Sequence, residues 1–167
     1  GIRTESQNTW GATASGANAA AYMTSNFATA FPSPNYLTIG CGTRTLRLTS
    51  ASAVTAFLPS TGTTARLPYG VTQNPGSAYG NTLAGQLVAL KLSVRFDELS
   101  TSFSPATVQL KNMIIASGTF AGWTVQQLIT AADAKIGGCG GTYTRTSLNT
   151  AITAVNDGYL AGTMNSG

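Results

Sequence analysis

The chain has 167 residues, of which 43% are hydrophobic and only 8% charged, with nine Lys and Arg, five Asp and Glu, and no histidine, for a formal charge of +4. Ordinary soluble domains carry roughly a quarter charged residues; here Thr, Ser, Ala, Gly and Asn take their place, and the pairing of low hydropathy with high net charge that marks disorder is missing. Without histidine there is no Ser-His-Asp or Cys-His engine, and no run of 18 apolar residues is present to span a membrane.

The basic residues Arg3, Arg44, Arg47, Arg66, Lys91, Arg95, Lys111, Lys135 and Arg145 stand singly, with Arg44 and Arg47 the only close pair. A nucleic-acid footprint neutralises several phosphates along one face, so no nucleic-acid partner is expected. Residues 1–16 are polar, lack helical period and hold one large anchor, Trp10. They are expected to form an extended N-terminal arm ahead of a single α+β domain over residues 17–167, with Ile2 and Trp10 as the arm's candidate contacts to a neighbouring copy. Gly1, with no initiator Met, is expected to begin a mature product cut from a precursor.

Ala20, Met23, Phe27 and Ala30 recur at helical spacing and Pro32 stops the run, which predicts a helix between Ala17 and Phe31. The stretches "YLTIG" and "TLRLT", on either side of "CGTR", predict two short strands. Thr49 or Ser50 is placed to cap a short helix that buries Val54, Phe57 and Leu58 before Pro59. Residues 59–82 are dense in turn formers, and a loop of that length inside a domain is usually functional or mobile. Tyr69 and Tyr79 are its candidate binding residues.

In "LAGQLVALKLSVRFDEL" a helical spacing at Leu83, Leu87 and Leu90 competes with a strand-like alternation at Leu90, Leu92, Val94 and Phe96. The expectation is a strand over 87–96. "LKNMIIASG" also predicts a strand, and "GTFAG" a turn. Thr124 is expected to cap a helix with Val125, Leu128, Ile129, Ala132 and Ile136 on one face, closed by Gly137. Thr146 or Ser147 is expected to start a last helix with Leu148, Ile152, Val155 and Tyr159 in one stripe. Several short strands and about three to four helices make the expected class α+β.

Cys41 in "TIGCGT" and Cys139 in "IGGCGG" sit in matching glycine settings 98 positions apart. Flanking glycines allow the close backbone approach that a disulfide needs. A nucleophilic thiol wants a base, and a zinc site wants more ligands than two cysteines and five scattered carboxylates supply. The expectation is a Cys41–Cys139 disulfide, with two free buried thiols as the alternative, and hence an oxidising, exported location.

Catalytic motifs are absent. No Ser precedes a lysine at the S-x-x-K spacing, and neither a P-loop nor G-x-G-x-x-G is present. Among the carboxylates Glu5, Asp97, Glu98, Asp133 and Asp157, the neighbours Asp97 and Glu98 would point to opposite faces if extended, which argues against a paired-carboxylate hydrolase. No catalytic residue, metal or cofactor is expected. The chain has no N-x-S/T acceptor.

Seven stretches carry a resemblance: "TWG" at 9–11, "SNFATAFP" at 25–32, "LTIGCG" at 37–42, "LTSASAVTAFLPS" at 48–60, "AGQLVALKLSV" at 84–94, "SGTFAGWTVQQLITAADAKIGG" at 117–138 and "LNTAITAVNDGY" at 148–159. Together they resemble a family of secreted surface-protein modules from Bacteroidota-type bacteria. What the resemblance implies is export and a surface role, with no attached activity. Two functions are expected in that order: a non-enzymatic extracellular structural subunit that associates with copies of itself, even into a filament, and an adhesin-like module that binds glycan or another surface through the 59–82 loop. A carboxylate-dependent hydrolase comes third.

Overall fold

The computed structural model describes residues 1–159. Ser6 caps a single helical turn, α1 (Gln7–Trp10), its hydroxyl accepting from the Thr9 amide. Asn18 caps α2 (Ala19–Ala30) in the same way through the Ala21 amide. A hairpin follows, β1 (Leu37–Cys41) antiparallel to β2 (Arg44–Leu48), and Leu37, Ile39, Leu46 and Leu48 point from it into the core. Ser50 caps α3 (Ala51–Phe57), and after a crossover β3 (Gly70–Gln73) pairs parallel with β2, giving the sheet order β1-β2-β3. The turn-rich stretch 59–82 is therefore not loop throughout: it supplies an edge strand and a 3-10 turn at Gly76–Ala78.

The strand expected over 87–96 is instead the middle of the longest helix, α4 (Thr82–Leu99), capped by Asn81. This helix touches α1, α2, α5, α6 and β1, so it is apolar on nearly every side, and a helix buried all round loses its 3.6-residue signature. The alternation at Leu90, Leu92, Val94 and Phe96 reflects burial on opposite sides of one helix. Its solvent stripe is formed by Lys91, Arg95 and Glu98, which recur at helical spacing and are half-buried.

Helices α5 (Val125–Ile136) and α6 (Arg145–Gly158) start where Thr124 and Thr144 cap them. Thr124 and Gln127 form a reciprocal capping box. The strand expected over 110–118 does not form: Asp97 Oδ2 accepts the Leu110 amide at 2.7 Å and seeds a 3-10 turn, Leu110–Asn112. No sheet strand lies beside the remainder, so the pairing reduces to one bridge between Ile114 and Thr124.

The extended arm is also corrected. Thr4 exchanges hydrogen bonds with the end of α6, its amide donating to Tyr159 O at 2.9 Å and its hydroxyl to Asn156 O at 2.8 Å. Glu5 donates its amide to Ser93 Oγ on α4. Trp10 is fully buried between Phe96 and Phe103, at ring separations of 5.6 and 5.9 Å, and Ile2 is buried as well. Polar side chains that looked solvated are the partners of this segment's backbone, and a Trp of this size gains more from burial than an arm in water would allow.

One ion pair ties β1 to the helices behind it. Lys91 Nζ of α4 meets Asp133 Oδ2 of α5 at 2.7 Å and donates to Thr38 O at 2.8 Å, while the Gly40 amide donates to Asp133 Oδ1. The outward backbone groups of β1 are thereby capped. Burial pushes the Asp133 carboxyl above the usual aspartate range, opposed by the Lys91 charge and the Gly40 amide. A carboxyl raised in the folded state withdraws stability as pH climbs from its unfolded value through its folded one, and nothing further is lost above that. Lys91→Met removes the opposing charge, so its destabilisation is expected to be small at pH 3.5 and to grow to about 2 kcal/mol at pH 7. Urea melts at the two pH values check this; equal losses at both would place the stabilisation in the lysine's packing rather than in the ion pair.

Candidate binding surface

The disulfide lies at one rim of the sheet. Cys41, the last residue of β1, is bonded to Cys139 with a Cα separation of 6.4 Å. The glycines work as their setting suggested: a Cβ on Gly137 would collide with the amide and sulfur of Cys41, so only glycine lets the end of α5 seat there. Gly137 ends α5 in a right-handed conformation, and the chain turns at Gly138, with φ 75°.

Three side chains converge on this rim. The Cδ atoms of Arg66 and Arg44 lie 2.8 and 3.6 Å from the position a Cβ would take on Gly138. Arg44 donates to Leu67 O at 2.8 Å and holds its guanidinium 5.9 Å from the ring centre of Tyr69. Leu67 is buried and its amide donates to Ile136 O, which anchors the segment carrying Arg66 and Tyr69 against α5. Tyr69 is 76% exposed, the most exposed large apolar side chain among the described residues, and Val71 follows on β3 at 55%. Neither Arg44 nor Arg66 has a carboxylate within 4 Å among the described residues, although the ion pairs elsewhere engage Glu5, Glu98 and Asp133. A half-buried Arg44 and an exposed Arg66, with no counter-charge within 4 Å among the described residues and an exposed aromatic ring beside them, suit a carboxylate, sulfate or phosphate group with an apolar body.

The two tyrosines predicted to act together are separated in role. Tyr79 is half-buried, and its hydroxyl accepts from Asn81 Nδ2 at 2.9 Å. Asn81 also donates to Ala65 O and receives Ala84 N, its own amide donating to Ser60 Oγ. Ser60 in turn donates its amide to Gln7 Oε1, and Gln7 lies so close on α4 that a Cβ at Gly85 would strike it. Tyr79 thus belongs to a network that pins the 59–82 segment, and Tyr69 alone is presented to solvent. Ile2 and Trp10 are interior and form no surface. Arg44 could be suspected from its closeness to Arg47; Arg66 could not, because its neighbour at Gly138 lies 72 positions away and only the fold brings them together.

A wider concavity of about 1000 Å³ lies between α6 and the 113–120 segment, with Met113, Ile115, Phe120, Ala151 and Val155 among its walls and exposed Ile114 at its lip. Tyr159, the last described residue, is part of its wall. Among them no helix is long and apolar enough to cross a membrane, and no group of three His, Cys, Asp or Glu side chains converges as a metal site would. Comparison with known proteins returns no matching family model, no matching curated protein and no matching solved structure.

Proposed function

We propose that this chain is a non-enzymatic binding module of an exported protein, and that it recognises acidic groups on another surface through Arg44, Arg66 and Tyr69. The observation that carries the reading is the meeting of the Arg44 and Arg66 side chains beside Gly138, with no carboxylate within 4 Å of either among the described residues, next to an exposed tyrosine. The Cys41–Cys139 disulfide is compatible with an extracellular location. Further support comes from the carboxylates: Glu5, Glu98 and Asp133 are held in ion pairs and Asp97 caps the Leu110 amide. Acid or base chemistry would want free carboxylate oxygens, whereas Glu98 and Asp133, which line one shallow concavity, are engaged there by Arg95, Lys111 and Lys91.

A subunit assembling through its N-terminal segment is the weaker reading, because Ile2 and Trp10 are already covered by this chain's own core. Two cationic rims would also repel one another. The test is an array of sulfated and carboxylated glycans and acidic peptides. Arg44→Ala and Arg66→Ala are each expected to weaken any captured acidic probe about tenfold, and affinity is expected to fall with added salt. Binding that survives the double substitution unchanged, or that prefers neutral probes, would overturn the reading.

A further inference from the structure

The sheet has two edges, and they are treated differently. On β1 the outward carbonyl of Thr38 and amide of Gly40 are capped by Lys91 and Asp133. On β3 the Gly70 amide donates to Thr43 O at 2.6 Å and the Asn74 amide to Arg47 O at 2.9 Å, so the even positions face β2. In a parallel ladder the alternate residues, Val71 and Gln73, turn their backbone groups away. Among the described residues, no side chain and no backbone group outside the β2 ladder bonds to either of them, and both are exposed. An open row of this kind is the template to which an extended chain adds.

The charges around the row say which chain. Arg44 stands opposite Gly70 and Arg47 opposite Gln73 in the register, one at each end of β3. Arg44 is on the face of β2 that carries Leu46 and Leu48, and Arg47 on the other, since neighbouring faces alternate along a strand. Among the described residues, the Nε atom of Arg47 is shielded from solvent and has no hydrogen-bond acceptor, and no carboxylate lies within 4 Å of it. Arg66 and Tyr69 adjoin the Arg44 end.

We propose that β3 receives an added strand from an acidic partner polypeptide whose carboxylates, three positions apart and so on opposite faces, meet Arg44 with Arg66 at one end and Arg47 at the other. The backbone bonds to Val71 and Gln73 set the register, and the exposed Val71 side chain, between the two charged ends, meets the partner's apolar position. This rests on the acidic-recognition reading and adds the class of partner and its mode. A sulfated or carboxylated glycan would use the arginines without the strand edge.

The experiment uses two blocked nine-residue peptides of identical composition, Thr and Val with two Glu, the acids spaced i,i+3 in one and i,i+2 in the other, with heparin as a glycan control. The i,i+3 peptide is expected to bind at least fivefold tighter, and amide exchange at Val71 and Gln73 is expected to slow at least tenfold on its addition. Val71→Pro and Gln73→Pro, which delete only outward donors, are expected to abolish peptide binding and leave the melting temperature within a few degrees. Equal affinity for the two spacings, or unchanged exchange at Val71 and Gln73, would overturn strand addition while leaving acidic recognition standing. If heparin alone binds and needs the arginines, the partner is a glycan and the strand proposal falls. Failure of every probe would sink both.

Discussion

Trp10→Ala is expected to cost about 4 kcal/mol of folding stability, and to leave the sedimentation of the folded fraction unchanged. Removing a fully buried indole loses its transfer free energy and leaves a cavity, a combination that runs from about 3 to 5 kcal/mol in well-packed cores. Trp10 has no exposed surface, lies 5.6 Å from Phe96 and 5.9 Å from Phe103, and joins the first residues to α4. Its indole Nε1 is buried without an acceptor among the described residues. Trp10→Phe therefore deletes an unsatisfied donor along with part of the ring, and is expected to cost only about 1 to 2 kcal/mol. An inter-subunit anchor would respond in the opposite manner, with altered association and an intact melt. Urea titration and sedimentation velocity on the two variants distinguish these outcomes, and an alanine variant as stable as the parent would refute the internal role.

Loss of the disulfide is expected to have an effect of similar size through the unfolded state. The bond closes a separation of 98 residues, and in the chain-entropy model a loop of about 100 residues contributes about 4 to 5 kcal/mol. For a chain of this length that corresponds to a fall in Tm of roughly 10 to 20 °C in the Cys41→Ala, Cys139→Ala double variant. The same bond fastens the turn at Gly138 against which Arg44 and Arg66 gather. The double variant, or reduced protein, is expected to lose affinity for acidic probes at temperatures where it remains folded. Calorimetry with and without reductant, followed by binding at a temperature below both transitions, measures the two effects separately. A Tm shift under about 3 °C would show that the unfolded chain gains little freedom from opening the loop.

Local chemistry was readable wherever it was decided locally. Ser50, Thr124 and the apolar stripe of α5 act through bonds and spacings within one turn, and the structure finds each at its expected place. The β1–β2 hairpin is of the same kind, as is the disulfide, whose glycine neighbours announce a close approach even though they do not say to what. Helix α4 was misread because its alternation and its helical spacing coexist in one apolar run, and only burial on all sides explains both. The first sixteen residues depart from expectation for the converse reason: polar residues such as Thr4 and Glu5 have the composition of a solvated arm, yet Asn156, Tyr159 and Ser93 receive them.

From its sequence alone, then, this chain determined an α+β class, the caps at Ser50 and Thr124, one hairpin and the lack of histidine chemistry, because each depends on residue type or on neighbours a few positions apart, and it marked its one cross-link through the glycines beside each cysteine. Tertiary structure alone decided that β3 would be an open edge, that Arg66 would stand beside Arg44, that Tyr69 would be exposed while Tyr79 is bound to Asn81, and that Trp10 would be interior. Those are outcomes of which surfaces meet in the fold, and a free energy shared between segments far apart in the chain leaves no periodic trace in the order of the amino acids.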